Sequence, residues 1–200
     1  MNDFFHAVVN YAQENKLEMV AVVFGLMSVW FAAKENILVY PTGIIAVAIS
    51  SYIYLNNKLY ADCIIQVYYF FASVYGWIFW LKLNKEEKGI SKIENLNQWL
   101  IYFLITLVSF GAFYVVLINT DTDVPLTDSI INAIFITGMI LMAKKKLENW
   151  IFWIIGDIGS IFISEYKSLH FFAMEYFIFT LMAIVALIVW TKRYKHSKAN

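Results

Sequence analysis

Charge is scarce in this chain of 200 residues, where 15% are Asp, Glu, Lys or Arg and 61% are hydrophobic. With a mean hydropathy of +0.64, that balance excludes an ordinary soluble domain and indicates a polytopic membrane protein. A single cysteine, Cys63, excludes an internal disulfide and a multi-cysteine metal cluster. The three histidines, His6, His170 and His196, lie in terminal segments or at a helix end and offer neither a metal spacing nor an axial haem pair. The two prolines, Pro41 and Pro125, stand near predicted helix starts, where a missing N–H costs little. There is no glycine-rich phosphate loop, no polar segment able to house an ATPase, and no regular series of membrane acids and bases for a proton relay. No nucleophile or metal set suggests an enzyme, and neither a cofactor nor a nucleic-acid partner is expected. The N-terminus lacks a basic n-region with a short apolar core and a small-residue cleavage site, so no cleaved signal peptide is expected. Residues 1–16 read as a short amphipathic segment on the membrane surface.

What the chain does have is long apolar runs. Hydropathy predicts seven transmembrane helices at about 18–33, 37–55, 61–81, 98–118, 126–143, 147–164 and 169–190. Lys34–Asn36 and Lys144–Lys146 are tight connections, and Lys82 to Asn97 is the one long polar link. On one face lie Lys16, Lys58 and Lys167. On the other lie Lys34, Lys82, Lys85, Lys88, Lys92, Lys144, Lys145, Lys146, Lys192, Arg193, Lys195 and Lys198, so three and twelve account for all fifteen Lys and Arg. The positive-inside rule then puts the N-terminus outside and the C-terminus in the cytoplasm, with the basic tail at lipid head groups.

The sequence also matches itself. A shift of 113 takes Gly25 to Gly138, Glu35 to Glu148, Asn36 to Asn149, Tyr40 to Trp153, Gly43 to Gly156, Asp62 to Glu175 and Trp77 to Trp190. In that register Asp157 answers to Ile44. The expected architecture is all-α, a single transmembrane domain over 1–200. Its first repeat is at about 18–81, a linker helix at about 98–118 and a second repeat at about 126–190. That is a 3+1+3 parallel repeat about an axis along the membrane normal, as in the SWEET carriers.

Two polar stripes interrupt the apolar helices. At ~100° per residue, Trp150, Trp153, Asp157, Ser160 and Ser164 share an arc of roughly 80°. A mid-bilayer carboxylate costs about 2.5–3.5 kcal/mol, so the stripe needs a partner. An aromatic pair beside a carboxylate suits a flat cationic ring; the alternative is a pair of interfacial belt tryptophans with Asp157 bonded to another helix. The second stripe is Asp62, Gln66, Tyr69, Ser73, Trp77 and Trp80. There Gln66 must bond a neighbouring helix or a ligand, Asp62 lies near the outer end, and Trp80 beside Lys82 reads as a belt residue. The stripe Tyr40, Gly43, Val47, Ser51 and Tyr54 reads mainly as packing. Asn132 is open between an interhelical bond and the site. Glu175 is open between a counter-charge for a cationic ligand and a partner for His170 or Lys167, while Glu165 reads as solvated.

Trp150-x-x-Trp153-x-x-x-Asp157, Tyr60-Ala61-Asp62 with Gln66, Tyr75-Gly76-Trp77-x-x-Trp80 and Tyr40-Pro41-x-Gly43 resemble the PnuC family of bacterial vitamin transporters, from about residue 18 to 190. The resemblance implies a SWEET-like fold and facilitated diffusion of nicotinamide riboside across the inner membrane, made unidirectional by a cytoplasmic kinase. It implies that Trp150, Trp153 and Gln66 line the substrate path, and that the chain forms a homotrimer. Glu165 and Glu175 stand where aliphatic or aromatic residues are expected in nicotinamide riboside carriers, so a thiamine-type specificity is the alternative. The expected partners are a small vitamin and the lipid bilayer. The substrate-binding set is Trp150, Trp153, Asp157, Gln66, Tyr69, Asn132, Glu175 and Asp62.

Overall fold

The computed structural model describes residues 15–56, 60–86, 88–120 and 122–199, without the side chains of 60–62, 64 and 199. The surface segment expected over residues 1–16 therefore lies almost wholly outside the described residues, as does the side chain of Asp62. The described residues form seven helices: α1 (Lys16–Ala33), α2 (Val39–Asn56), α3 (Tyr60–Lys85), α4 (Leu96–Leu117), α5 (Pro125–Ala143), α6 (Asn149–Tyr166) and α7 (His170–Ala199). Five of them, α1, α2, α4, α5 and α7, are long and apolar enough to cross a membrane. The other two, α3 and α6, are the helices that carry the polar stripes.

Local chemistry sets several boundaries. Pro125 opens α5, where its fixed φ suits the first turn and no N–H is missed. Asn95 caps α4 by accepting from Gln98 N at 2.9 Å, and Gln98 Oε1 accepts in return from Glu94 N at 3.2 Å, a variant of the reciprocal capping box. The turns after α1 and α5 are alike. Glu35 and Lys145 take left-handed backbone, φ 58° and 49°. Glu35 N and Lys145 N bond Ala32 O and Met142 O, each at 2.9 Å. Asn36 N and Lys146 N bond Phe31 O and Leu141 O, again at 2.9 Å.

These equivalences fix a register. Glu35 and Lys145 are 110 residues apart, as are the starts of α2 and α6 and of α3 and α7. The structural spacing is thus three residues shorter than the 113 of the sequence matches. Three residues are nearly one helical turn (~3.6 residues), so residue types recurring on one face also match in the shifted register. The equivalents change accordingly: Trp150 answers to Tyr40, Trp153 to Gly43 and Asp157 to Val47.

Helix α1 packs on α2 and α7, α2 on α3, α3 on α5, α5 on α4 and α6, and α6 on α7. Helix α4 rests on α5 and leaves Phe103, Leu104 and Val108 exposed, as an apolar solvent would permit. The link between α3 and α4 is docked rather than free. Ser91 N bonds Lys145 O at 2.9 Å, and Leu147 N bonds Ser91 O at 2.8 Å. Ile93 N bonds Glu148 Oε1 at 3.0 Å, so this strap holds the turn between α5 and α6.

Candidate functional site

A cavity of about 540 Å³ lies at the centre of the bundle, walled by every helix except α4. That volume is in the range of small-molecule sites, ~300–1,000 Å³. It runs from Glu18, Tyr54 and Phe172, near the start of α1, the end of α2 and the start of α7, down to Tyr40 and Trp150 at the starts of α2 and α6.

Six of the eight expected residues line it: Trp150, Trp153, Asp157, Gln66, Tyr69 and Glu175. The structure does not bring Asn132 to the wall. Its amide instead donates to Asp128 O at 2.9 Å, one turn back on its own helix. Both alternative partners of Glu175 are engaged elsewhere, since Lys167 Nζ pairs with Asp128 Oδ2 at 3.1 Å and His170 with Glu165 at 3.0 Å. Glu175 therefore faces the cavity, whereas Glu165 does not line it. Glu18, Asp157 and Glu175 put three carboxylates in the wall, and no Lys, Arg or His lines it among the described residues.

The two tryptophans of α6 have different jobs. Trp153 lies against Phe135 with ring centroids 5.4 Å apart. Trp150 is 2% exposed and meets the ring of Trp190 edge-on at 5.5 Å. Both line the cavity, but each ring already has an aromatic neighbour of its own. Trp153 belongs to the wall and Trp150 to the floor.

That floor is built twice over. Tyr40 meets Trp80 edge-on at 5.3 Å, as Trp150 meets Trp190, and Trp80 and Trp190 lie 6.4 Å apart. Trp80 Nε1 donates to Met142 O at 2.9 Å and Trp190 Nε1 to Ala32 O at 3.0 Å. Both bonds tie the first three helices to the last three. The belt expectation for Trp80 is thus corrected: its ring is 0% exposed, because its N–H finds a carbonyl across the bundle rather than at the lipid interface. Tyr40 Oη, Trp150 Nε1 and Trp153 Nε1 are buried without a hydrogen-bond partner.

Sequence reasoning missed part of the wall. The α2 stripe read as packing supplies Tyr40, Gly43, Val47 and Tyr54, and α7 adds Phe172, Tyr176 and Phe179 around Glu175. The signal was there in the spacing of Phe172, Tyr176, Phe179 and Ala183, one face of a helix.

The comparisons with known proteins bear on the whole chain. A family model described as nicotinamide mononucleotide transporter matches residues 15–192. The nicotinamide riboside transporter PnuC of Escherichia coli (strain K12) is 27% identical over 201 residues, covering 87% of this chain and 84% of the relative. The chain belongs to the PnuC family. A second PnuC nicotinamide riboside transporter, from Neisseria mucosa, is 25% identical over 90% of this chain and 73% of its own length. The fold agrees with a crystal structure of the vitamin B3 transporter PnuC, with a TM-score of 0.74 at 22% identity over 96% of this chain and 87% of that one. PnuC proteins are multi-pass membrane transporters and not enzymes, which accords with a central cavity carrying polar groups among apolar helices.

Proposed function

We propose that this PnuC protein imports nicotinamide riboside across the bacterial inner membrane by facilitated diffusion, with its N-terminus outside and its C-terminus in the cytoplasm. The observation that carries this reading is the wall itself: an indole at Trp153, an amide at Gln66, the carboxylates Asp157 and Glu175, and no cationic side chain among the described residues. A pyridinium nucleoside would stack on Trp153 and hold its charge near Asp157 and Glu175, with Gln66 and Tyr69 within the wall for its hydroxyls or amide. The 5′-phosphate of the mononucleotide would meet carboxylates with no counter-charge, at strong cost away from water. Phosphorylation by a cytoplasmic kinase would therefore trap the imported nucleoside.

The helices act as two triplets in a 3+1+3 parallel repeat, with α4 as the linker, and rocking of the triplets about the central cavity gives alternating access. The chain works as a homotrimer on this reading, as its family resemblance implies. Thiamine is the second reading, favoured by Glu175 in the wall, because that vitamin also carries a cationic aromatic ring. Counterflow of labelled substrate in proteoliposomes is the test, with nicotinamide riboside, its mononucleotide, thiamine and riboflavin as competitors. Nicotinamide riboside is expected to exchange and its mononucleotide to fail. Full exchange by the Trp153→Ala and Asp157→Asn variants would overturn the assigned roles.

A further inference from the structure

Beneath the cavity floor lies an ion pair that the binding site does not use. Lys145, in the turn between α5 and α6, has a side chain only 4% exposed. Its Nζ donates to Glu35 Oε1 at 2.8 Å, Asn84 Oδ1 at 2.8 Å and Lys88 O at 3.3 Å, and lies 5.1 Å from the centre of the Trp80 ring. Every one of these partners precedes α4 in the chain, so the ammonium is held wholly by the other half. Glu35 is the positional equivalent of Lys145, in the matching turn and the same left-handed backbone. Its second oxygen lies 3.6 Å from Arg193 Nη1, which also donates to Lys34 O at 2.8 Å.

The pair thus joins the same place in both halves, next to the indole–carbonyl bonds that close the floor. The floor residues Tyr40 and Trp150 and the adjoining Glu148 and Asn149 bring buried polar atoms with no partner: Tyr40 Oη, Trp150 Nε1, Glu148 Oε2 and Asn149 Oδ1. Such atoms destabilise the closed floor and gain water when it opens. The ion pair opposes them. An arrangement with a burial penalty on one side and a breakable pair on the other is set to exist in two states.

We propose that Lys145 and Glu35 form the inner latch of the transport cycle, positioning residues that hold the cavity floor shut until the two halves part. This rests on the transport reading above. The latch can be read without substrate. In a Cys63→Ser background, a Met142→Cys reporter at the floor is labelled with a membrane-impermeant maleimide in inside-out vesicles. Labelling is expected to be slow in this parent and in Lys145→Arg, which keeps the charge. In the Glu35→Gln/Lys145→Met double variant, where the one charge of the cluster left unpaired is Arg193, whose side chain is 46% exposed, it is expected to rise about tenfold, as a shift of one decade in open population requires. Equal labelling rates in all three proteins would overturn the latch. So would a double variant that no longer elutes as a monodisperse protein, since the pair would then be a structural staple. Faster labelling in a protein that moves no substrate in counterflow would support the latch and overturn the transport reading instead.

Discussion

Replacing Gly156 by alanine reverses an ordinary expectation. In a helix interior alanine is favoured over glycine by about 1 kcal/mol, so the change would normally stabilise α6. At Gly156, however, a methyl group would sit inside van der Waals contact with Cε1 and Cδ1 of the Phe135 ring. Phe135 is 7% exposed and leans on Trp153, the indole of the cavity wall. Overpacking of this kind costs roughly 1–3 kcal/mol. Turning the Phe135 ring away also forfeits an aromatic pair worth about 0.5–1.5 kcal/mol. After the propensity gain is subtracted, Gly156→Ala should lose about 0.5–3.5 kcal/mol. Gly111→Ala is the control. It lies in α4 with nothing within 4 Å of the added carbon, and should gain about 0.5–1 kcal/mol. The assay is the midpoint temperature at which detergent-solubilised protein loses its monodisperse peak, with affinity for nicotinamide riboside measured beside it. Adding Phe135→Ala to Gly156→Ala makes room for the methyl, so the double variant should lose less than the sum of the two single changes. If Gly156→Ala is as stable as Gly111→Ala, or the two losses simply add, the reasoning fails.

Trp190→Phe removes the indole bond to Ala32 O, a carbonyl that keeps Glu35 N as a second donor. The hydrogen-bond loss is about 1 kcal/mol, and a midpoint lower by a few degrees is expected for this variant and for Trp80→Phe alike. Asn132→Ala should exchange substrate at the unaltered rate in counterflow, because that amide bonds its own helix and is absent from the cavity wall. Lys167→Met breaks an ion pair with Asp128 whose side chains are 27% and 20% exposed. It should cost about 1–3 kcal/mol, more than an exposed pair, because it leaves a mostly buried carboxylate without its ammonium.

The helices were legible in the sequence because most are long apolar runs, and the two stripes stood out because a carboxylate or amide inside such a run needs a partner. Asp157, Gln66 and Glu175 were singled out in this way, Trp153 as their aromatic neighbour, and all four line the cavity. Tyr40 was passed over because its stripe, with Gly43, Val47 and Ser51, carries no charge or amide and looks the same whether it faces a helix or a cavity. Trp80 was misplaced because a tryptophan beside a lysine is the pattern of a lipid interface; only the tertiary structure brings Met142 O within reach. The register of the internal match slipped by three residues because helical faces repeat at nearly that interval. Nothing local in the sequence could have paired Lys145 with Glu35, since both look like loop charges.

The bond from Trp190 to Ala32 spans 158 residues of chain. Synthesis runs from the N-terminus, so the end of α1 has to wait for almost the whole protein before its carbonyl meets that indole. Trp150, Trp80 and the rings around them wait with it. A nascent chain with six helices in place would hold a cavity lacking half its base. The base of the cavity is thus closed only when α7 arrives, and a chain cut short before residue 190 would lack the indole that joins its last helix to its first.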